Sequence, residues 1–215
     1  NVAGKVSYKM SKSRGNLTDP NVLFDKYSAD AWRLLLLGSP LLNGEDFALK
    51  DKEVQDVQRK LAMIWNMYDF FTMYAAVDGW EWDGKHEDPS GTVSNPLDIW
   101  ILSRLHELQK HLEEHMDRYD LPGALEPVLP FLDDASNWYV RRSRRRFWKS
   151  DSDQDQQKAY QTLHKVLLTL CRLIAPVIPF TAESMYQNLK QPLADAAQSV
   201  HLESWPEIDQ NLSDN

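Results

Sequence analysis

An all-α fold, a helical bundle preceded by a small loop-and-helix module, is what this 215-residue sequence predicts. Three observations carry that expectation. Apolar residues recur at three- and four-residue steps through several long segments. Helix-start signals of the form Asp-Pro and Asn-Pro precede them. Pro- and Gly-bearing stretches separate them. The 42% hydrophobic share is ordinary for a soluble globular chain, and 11% aromatics with eight Trp exceed what a disordered segment carries.

The opening NVAGKVSYKMSKSRGN has no sustained apolar period and reads as loop, with room for a short strand. Thr18 or Asp19 before Pro20 starts a helix, since proline at the first helical position gives up no useful donor. Ser28 caps a second short helix, ADAWRLLLL, which ends at Gly38-Ser39-Pro40. Its four consecutive Leu imply burial on several sides. LLNGEDFALKD is a connector. From Lys52 to about Ala76, Val54, Val57, Leu61, Ile64, Trp65, Tyr68, Phe71 and Ala75 form the stripe of a long amphipathic helix. VDGWEWDGKHEDPSGTVSNP is a polar loop of about 20 residues, long for a compact domain.

Asn95-Pro96 starts the next helix, with Leu97, Ile101, Leu105, Leu108, Leu112 and Met116 in one stripe. A fourth runs from about Pro122 to Lys149, bent near Pro127 and Pro130. A fifth, from Gln154 to Ala175, carries Tyr160, Leu163, Leu167, Leu170 and Ile174. Pro176 and Pro179 break it, and Thr181 caps a short sixth. The tail VHLESWPEIDQNLSDN has room for one short strand before it becomes too polar to pack. Each stripe offers several side chains worth about 1.5–3 kcal/mol on burial, enough for an independent core.

The lone Cys171, in the apolar fifth helix, excludes a disulfide framework and a Cys-rich zinc site and reads as core. No run of about 18 apolar residues exists, so no membrane span is expected. The chain opens without Met and reads as cut from a longer protein, which leaves a targeting signal on the parent open. The net charge of −8 argues against a uniformly cationic nucleic-acid binder. Its distribution is more informative. Residues 1–16 hold Lys5, Lys9, Lys12 and Arg14 with no acid, and 138–149, WYVRRSRRRFWK, hold five Arg and one Lys with no acid. Two cationic islands on an acidic background fit anion binding at particular sites. From charge alone, pairing with nearby carboxylates on a solvated face fits equally.

In the first island, KMSKS places Lys9 and Lys12 three residues apart with hydroxyls between them and Gly15-Asn16 behind. Lysines and hydroxyls on a glycine-flanked loop can follow a polyphosphate whose charge moves during reaction. The whole string KMSKSRGN resembles the second ATP-binding motif of class I aminoacyl-tRNA synthetases. The resemblance implies that Lys9 and Lys12, chiefly Lys12, stabilise the triphosphate of ATP, bound with Mg2+, as the amino-acid carboxylate attacks the α-phosphorus. Met10, Ser11 and Ser13 complete that ATP-binding loop; Arg14 adds charge without a defined role. The family's other ATP motif is not in this sequence, because none of the six His sits in a His-x-Gly-His string. The chain alone is therefore expected not to activate an amino acid.

In the second island, at about 100° per residue and with Arg141 at 0°, Leu125, Val128, Leu129, Leu132, Tyr139, Val140 and Phe147 fall between about 140° and about 260°. Arg145 lies at about 40°, Trp138 at about 60°, Arg144 at about 300° and Trp148 at about 340°. Arginine forks suit phosphate oxygens and aromatic faces stack on unpaired bases. Taken singly, each Trp reads as core packing; only the face as a whole, beside the first island, reads as an RNA-binding surface. His111 and His115, four residues apart, could chelate a metal, but without a third ligand they read as surface histidines.

The resemblance extends along the chain through YSADAWRLLLLGSP, NGEDFAL, WNMYDFF, NPLDIWILSRLHEL, NWYVRRSRRRFW and VHLESWP. This order is similar to the isoleucyl branch of the family. It implies a KMSKS loop and connecting module at the edge of the catalytic domain over 1–50, and a helical anticodon-binding domain over 51–215. It further implies tRNA(Ile) as partner, ATP and isoleucine as substrates met through a catalytic domain, a cytoplasmic setting, and no metal site or membrane contact. Valyl or leucyl enzymes share the plan. A non-catalytic helical module binding RNA or protein is the reading of a different kind.

Overall fold

The computed structural model describes residues 10–15, 19–82, 88–149, 152–190 and 196–207. Among them every regular element is helical. Two short helices lead the chain. α1 (Pro20–Lys26) starts where Asp19 accepts a hydrogen bond from the Asn21 N–H at 2.9 Å. α2 (Ala29–Leu37) starts where the Ser28 hydroxyl oxygen accepts from the Ala31 N–H at 3.1 Å. The run of four Leu is buried on one side only: Leu34 is buried while Leu36 is exposed. Among the described residues α2 packs on α3, α5, α9 and the 3-10 turn Pro40–Asn43, and Leu36 lies on the side left open.

α3 (Asp51–Asp78) buries Val54, Val57, Leu61, Ile64, Tyr68, Phe71 and Ala75 along one stripe. It ends at Gly79, whose φ of +64° is the left-handed geometry that glycine adopts without strain. The connector that follows is anchored by aromatics. Trp80 stacks on Tyr160 with centroids 5.3 Å apart, and Trp82 on His164, also at 5.3 Å. α4 (Pro96–Met116) is capped by Asn95, which accepts from the Leu97 N–H at 3.0 Å.

The segment expected as one bent helix is divided. α5 (Leu121–Leu125) and α6 (Val128–Asp133) are separated at Glu126-Pro127. Pro130 causes no bend, because it sits in the first turn of α6, where a missing N–H costs no bond. A π-helical segment, Asp134–Val140, then joins α6 to α7 (Arg141–Trp148). α4 holds this segment at both ends. Arg104 Nε donates to Asp134 at 3.1 Å, and the Tyr139 hydroxyl donates to Asp98 at 2.8 Å.

α8 (Asp153–Ile174) is the central helix, with Tyr160, Leu163, Leu167, Leu170 and Cys171 buried. Burial pushes the Cys171 thiol up to about 12, consistent with a core residue. α9 (Pro179–Leu189) begins at Pro179, not behind a Thr181 cap. Its first-turn N–H groups are met from α2 instead: the Asp30 carboxylate accepts from Phe180 at 3.3 Å and Thr181 at 2.7 Å. Arg33 donates to the carbonyls of Val177 and Pro176 at 2.8 and 2.9 Å, so α2 clamps the whole α8–α9 turn. The described tail forms a 3-10 turn, Val200–Leu202, in place of a strand. It is tied down by polar bonds, with Glu203 paired to Arg172 at 3.0 Å and Glu183 accepting from Val200 N–H at 2.9 Å. No helix among the described residues is long and apolar enough to cross a membrane.

Candidate nucleic-acid interface

The sequence of α7 packs charge around a narrow apolar seam, and its neighbours decide which arginines are spent on the fold. Arg146 is turned inward. Its guanidinium donates to both oxygens of the fully buried Asp98 at 2.7 Å and to both oxygens of Asp155 at 2.8 Å. Burial works against its charge, but the bonds to Asp98 and Asp155 more than offset that, and its pKa is raised. The bond from Arg146 in turn lowers the pKa of Asp155. Arg146 is thus a peg between α4, α7 and α8. On the helical wheel it lies about 140° from Arg141, at the edge of the apolar stripe. That position is the signal that could set it apart from its neighbours.

With Arg146 pegged, the other four arginines of α7 face outward. Arg142 lies over the Trp138 ring at 4.4 Å, and Arg144 over Phe70 at 5.9 Å. Arg141, Arg144 and Arg145 pair with no carboxylate among the described residues. The tryptophans correct the core-packing reading: Trp138 is 49% exposed and Trp148 77% exposed. The physical reason is that Tyr139, Val140 and Phe147 already fill the inward side of this stretch. Arg141, Arg144, Arg145, Trp138 and Trp148 are therefore all at the surface of the π segment and α7.

Beside this face lies a groove of about 610 Å³ between α3 and the π segment. Asn66, Asp69, Phe70 and Met73 line it from α3, and Ser136, Asn137, Arg141 and Arg144 from the other side. Sequence reasoning missed the α3 wall, because its residues stand about 70 positions from their partners and carry no motif.

In the KMSKS loop, Lys12–Arg14 form a 3-10 turn in which the Arg14 N–H donates to the Ser11 carbonyl at 3.1 Å, with the Ser11 and Ser13 hydroxyls 2.8 Å apart and Gly15 at φ +63°. Met10 and Ser13 are exposed. Lys9 and the side chain of Lys12 lie outside the described residues. The histidines serve the α4–α5 turn. His111 and His115 stack 4.2 Å apart, His111 Nε2 is 2.8 Å from the Gly123 carbonyl, and His115 Nδ1 is 2.7 Å from Asp120. The His115 bond holds the Asp120 carboxyl below its usual range. A Cβ at Gly123 would overlap the Asp120 carboxylate and His115 Nδ1, so a larger residue there would displace that bonded pair.

Two family models match the chain. Residues 98–215 match the anticodon-binding domain of tRNA ligase, and residues 2–48 match class I tRNA synthetases of the I, L, M and V group. The chain is 41% identical to the isoleucine–tRNA ligase of Treponema denticola over 95% of its own length and 19% of that protein. It is 40% identical to that of Clostridium tetani, over 98% of its length and 20% of the relative. The chain thus spans about a fifth of the length of these curated relatives. Among solved structures, its fold is similar to a LeuRS of Agrobacterium radiobacter K84 in ternary complex with tRNA and LeuAMS. The TM-score there is 0.68, at 19% identity, over 95% of this chain and 22% of that one. A match running from α4 to the tail, with an all-helical architecture and sequence likeness along nearly its whole length, places the chain in one family: it belongs to the tRNA-ligase anticodon-binding family of class I synthetases.

Proposed function

We propose that the chain is the tRNA-contacting part of a cytoplasmic isoleucine–tRNA ligase. The helical region, residues 51–215, grips the anticodon region of tRNA(Ile). Arg141, Arg144 and Arg145 neutralise phosphates while Trp138 and Trp148 stack on unpaired bases. Residues 1–50 carry the KMSKS loop beside the catalytic domain. There Lys9 and Lys12 hold the triphosphate of ATP, with Met10, Ser11 and Ser13 shaping the loop. An isoleucine carboxylate oxygen bonds to the α-phosphorus as the bond from that phosphorus to pyrophosphate breaks. The lysines offset the negative charge that builds on the departing pyrophosphate. The loop's donors are ammonium and hydroxyl groups without a carboxylate, which suits phosphate oxygens, so Mg2+ arrives with the nucleotide.

The observation that carries the RNA reading is the outward face of Arg141, Arg144 and Arg145, left without carboxylate partners among the described residues while the adjacent Arg146 is fully committed to two. Replacing those three arginines with Gln should weaken tRNA(Ile) binding and flatten its dependence on salt. The log–log slope should fall by about 0.7–0.9 for every phosphate no longer neutralised. A salt titration by filter binding or anisotropy measures both. Unchanged affinity and slope would return these residues to an ordinary solvated surface.

A further inference from the structure

We infer that the groove between α3 and the π segment receives one unpaired nucleobase and prefers a base carrying an amino group over uracil, with Asp69 as the residue that decides. The inference rests on the RNA reading above and deepens it.

At about 610 Å³ the groove falls within the roughly 300–1,000 Å³ of small-ligand sites. Its floor offers flat and polarisable surface. The Phe70 ring is half-buried against Tyr74 and Phe147 with the Arg144 guanidinium over it, so the guanidinium plane and Met73, 54% exposed, are the surface on which a base stacks. Stacking on such a floor is sequence-tolerant, so selectivity must come from the edges.

Those edges accept hydrogen bonds. The Asn137 amide nitrogen gives one of its two N–H groups to Asp133 at 2.8 Å, and its carbonyl oxygen is left as an acceptor for a ligand. Asp69 is a carboxylate in a groove that also holds two arginines, yet it pairs with neither. An unpaired carboxylate is poorly suited to phosphate and well suited to a base edge that donates. Adenine and cytosine present exocyclic amino groups, and guanine presents an amino group beside a ring N–H. Uracil presents two carbonyls around a single N–H, and a carboxylate repels both. Arg141 and Arg144 then stand where the phosphates flanking the inserted base would run.

The test uses the 215-residue chain and single-stranded RNA probes of about eight nucleotides, a length inside the usual site size. Anisotropy titrations with oligoadenylate, oligocytidylate and oligouridylate should show the first two binding about tenfold tighter than the third. Asp69→Asn removes one negative charge, so it raises affinity for every probe. The decisive readout is therefore the ratio between probes, which should fall to about twofold because an amide can donate to the uracil carbonyls. A ratio unmoved by Asp69→Asn, or no ratio to begin with, overturns the base-selecting groove while leaving the arginine face intact. Absence of salt-dependent binding by any probe overturns the RNA reading and this inference together.

Discussion

A guanidinium withdrawn from water forfeits several kcal/mol of hydration, and only well-made bonds on every side recover it. Arg146 makes five, to Asp98 and Asp155. The Tyr139 hydroxyl adds a further donor to Asp98. Removing one partner strands the other's charge. Asp98→Ala should cost about 3–5 kcal/mol in urea unfolding, whereas the double change Asp98→Leu with Arg146→Met should cost less than the single one. If the double variant is the less stable of the two, the pair contributes more than its desolvation cost. Arg145→Ala, on the open surface, should stay within about 0.5 kcal/mol of the parent. As letters in a sequence, five arginines in six positions look alike. What separates them is the carboxylate at 98, which stands between Leu97 and Ile101 on the apolar side of α4 and is buried.

Helices that start on local chemistry are legible in the sequence. Asp19, Ser28 and Asn95 each bond to an N–H two or three residues ahead, so the signal and its partner are neighbours. The start of α9 is not legible, since the oxygen that caps it comes from Asp30 on another helix. Asp30→Ala should therefore destabilise the protein by about 1–2 kcal/mol. It should also speed hydrogen exchange at the amides of Phe180 and Thr181, which mass spectrometry of the corresponding peptides can follow. Exchange unchanged at those amides would mean another group caps the turn. The π segment is equally hidden. DASNWYV has no residue that forces an extra-wide turn; it forms where Arg104 and Asp98 of α4 hold its two ends. The apolar stripe from Leu125 to Phe147 largely survives it, because the departure from an ideal wheel accumulates over only two turns.

At the scale of the whole chain, acid weakens the bundle in a defined order. His164 is buried against Trp82, and its Nε2 pairs with the Leu189 carbonyl at 3.0 Å. Burial disfavours the charged ring and lowers its pKa from 6.5. The unfolded chain therefore takes up a proton below about pH 6.5 that the folded chain refuses, and stability falls as pH drops through that window. Asp155, whose pKa is lowered by Arg146, adds its loss only as pH falls below the ordinary carboxylate range. The urea midpoint should be lower at pH 5.5 than at pH 7.5, and His164→Asn should remove most of that difference. An identical slope in the variant would point to other groups. The two cationic islands are visible in the sequence as runs of like charge. The groove is invisible there because folding alone brings Asp69 beside Asn137. Chain order also gives the architecture a temporal side. Asp30 meets its partner 151 residues later in the chain. At ribosomal speeds of about 5–20 residues per second, the nascent α2 waits on the order of ten seconds for the backbone it must clasp. Until then Asp30 and Arg33 stand without the N–H and carbonyl groups that they meet at residues 176–181.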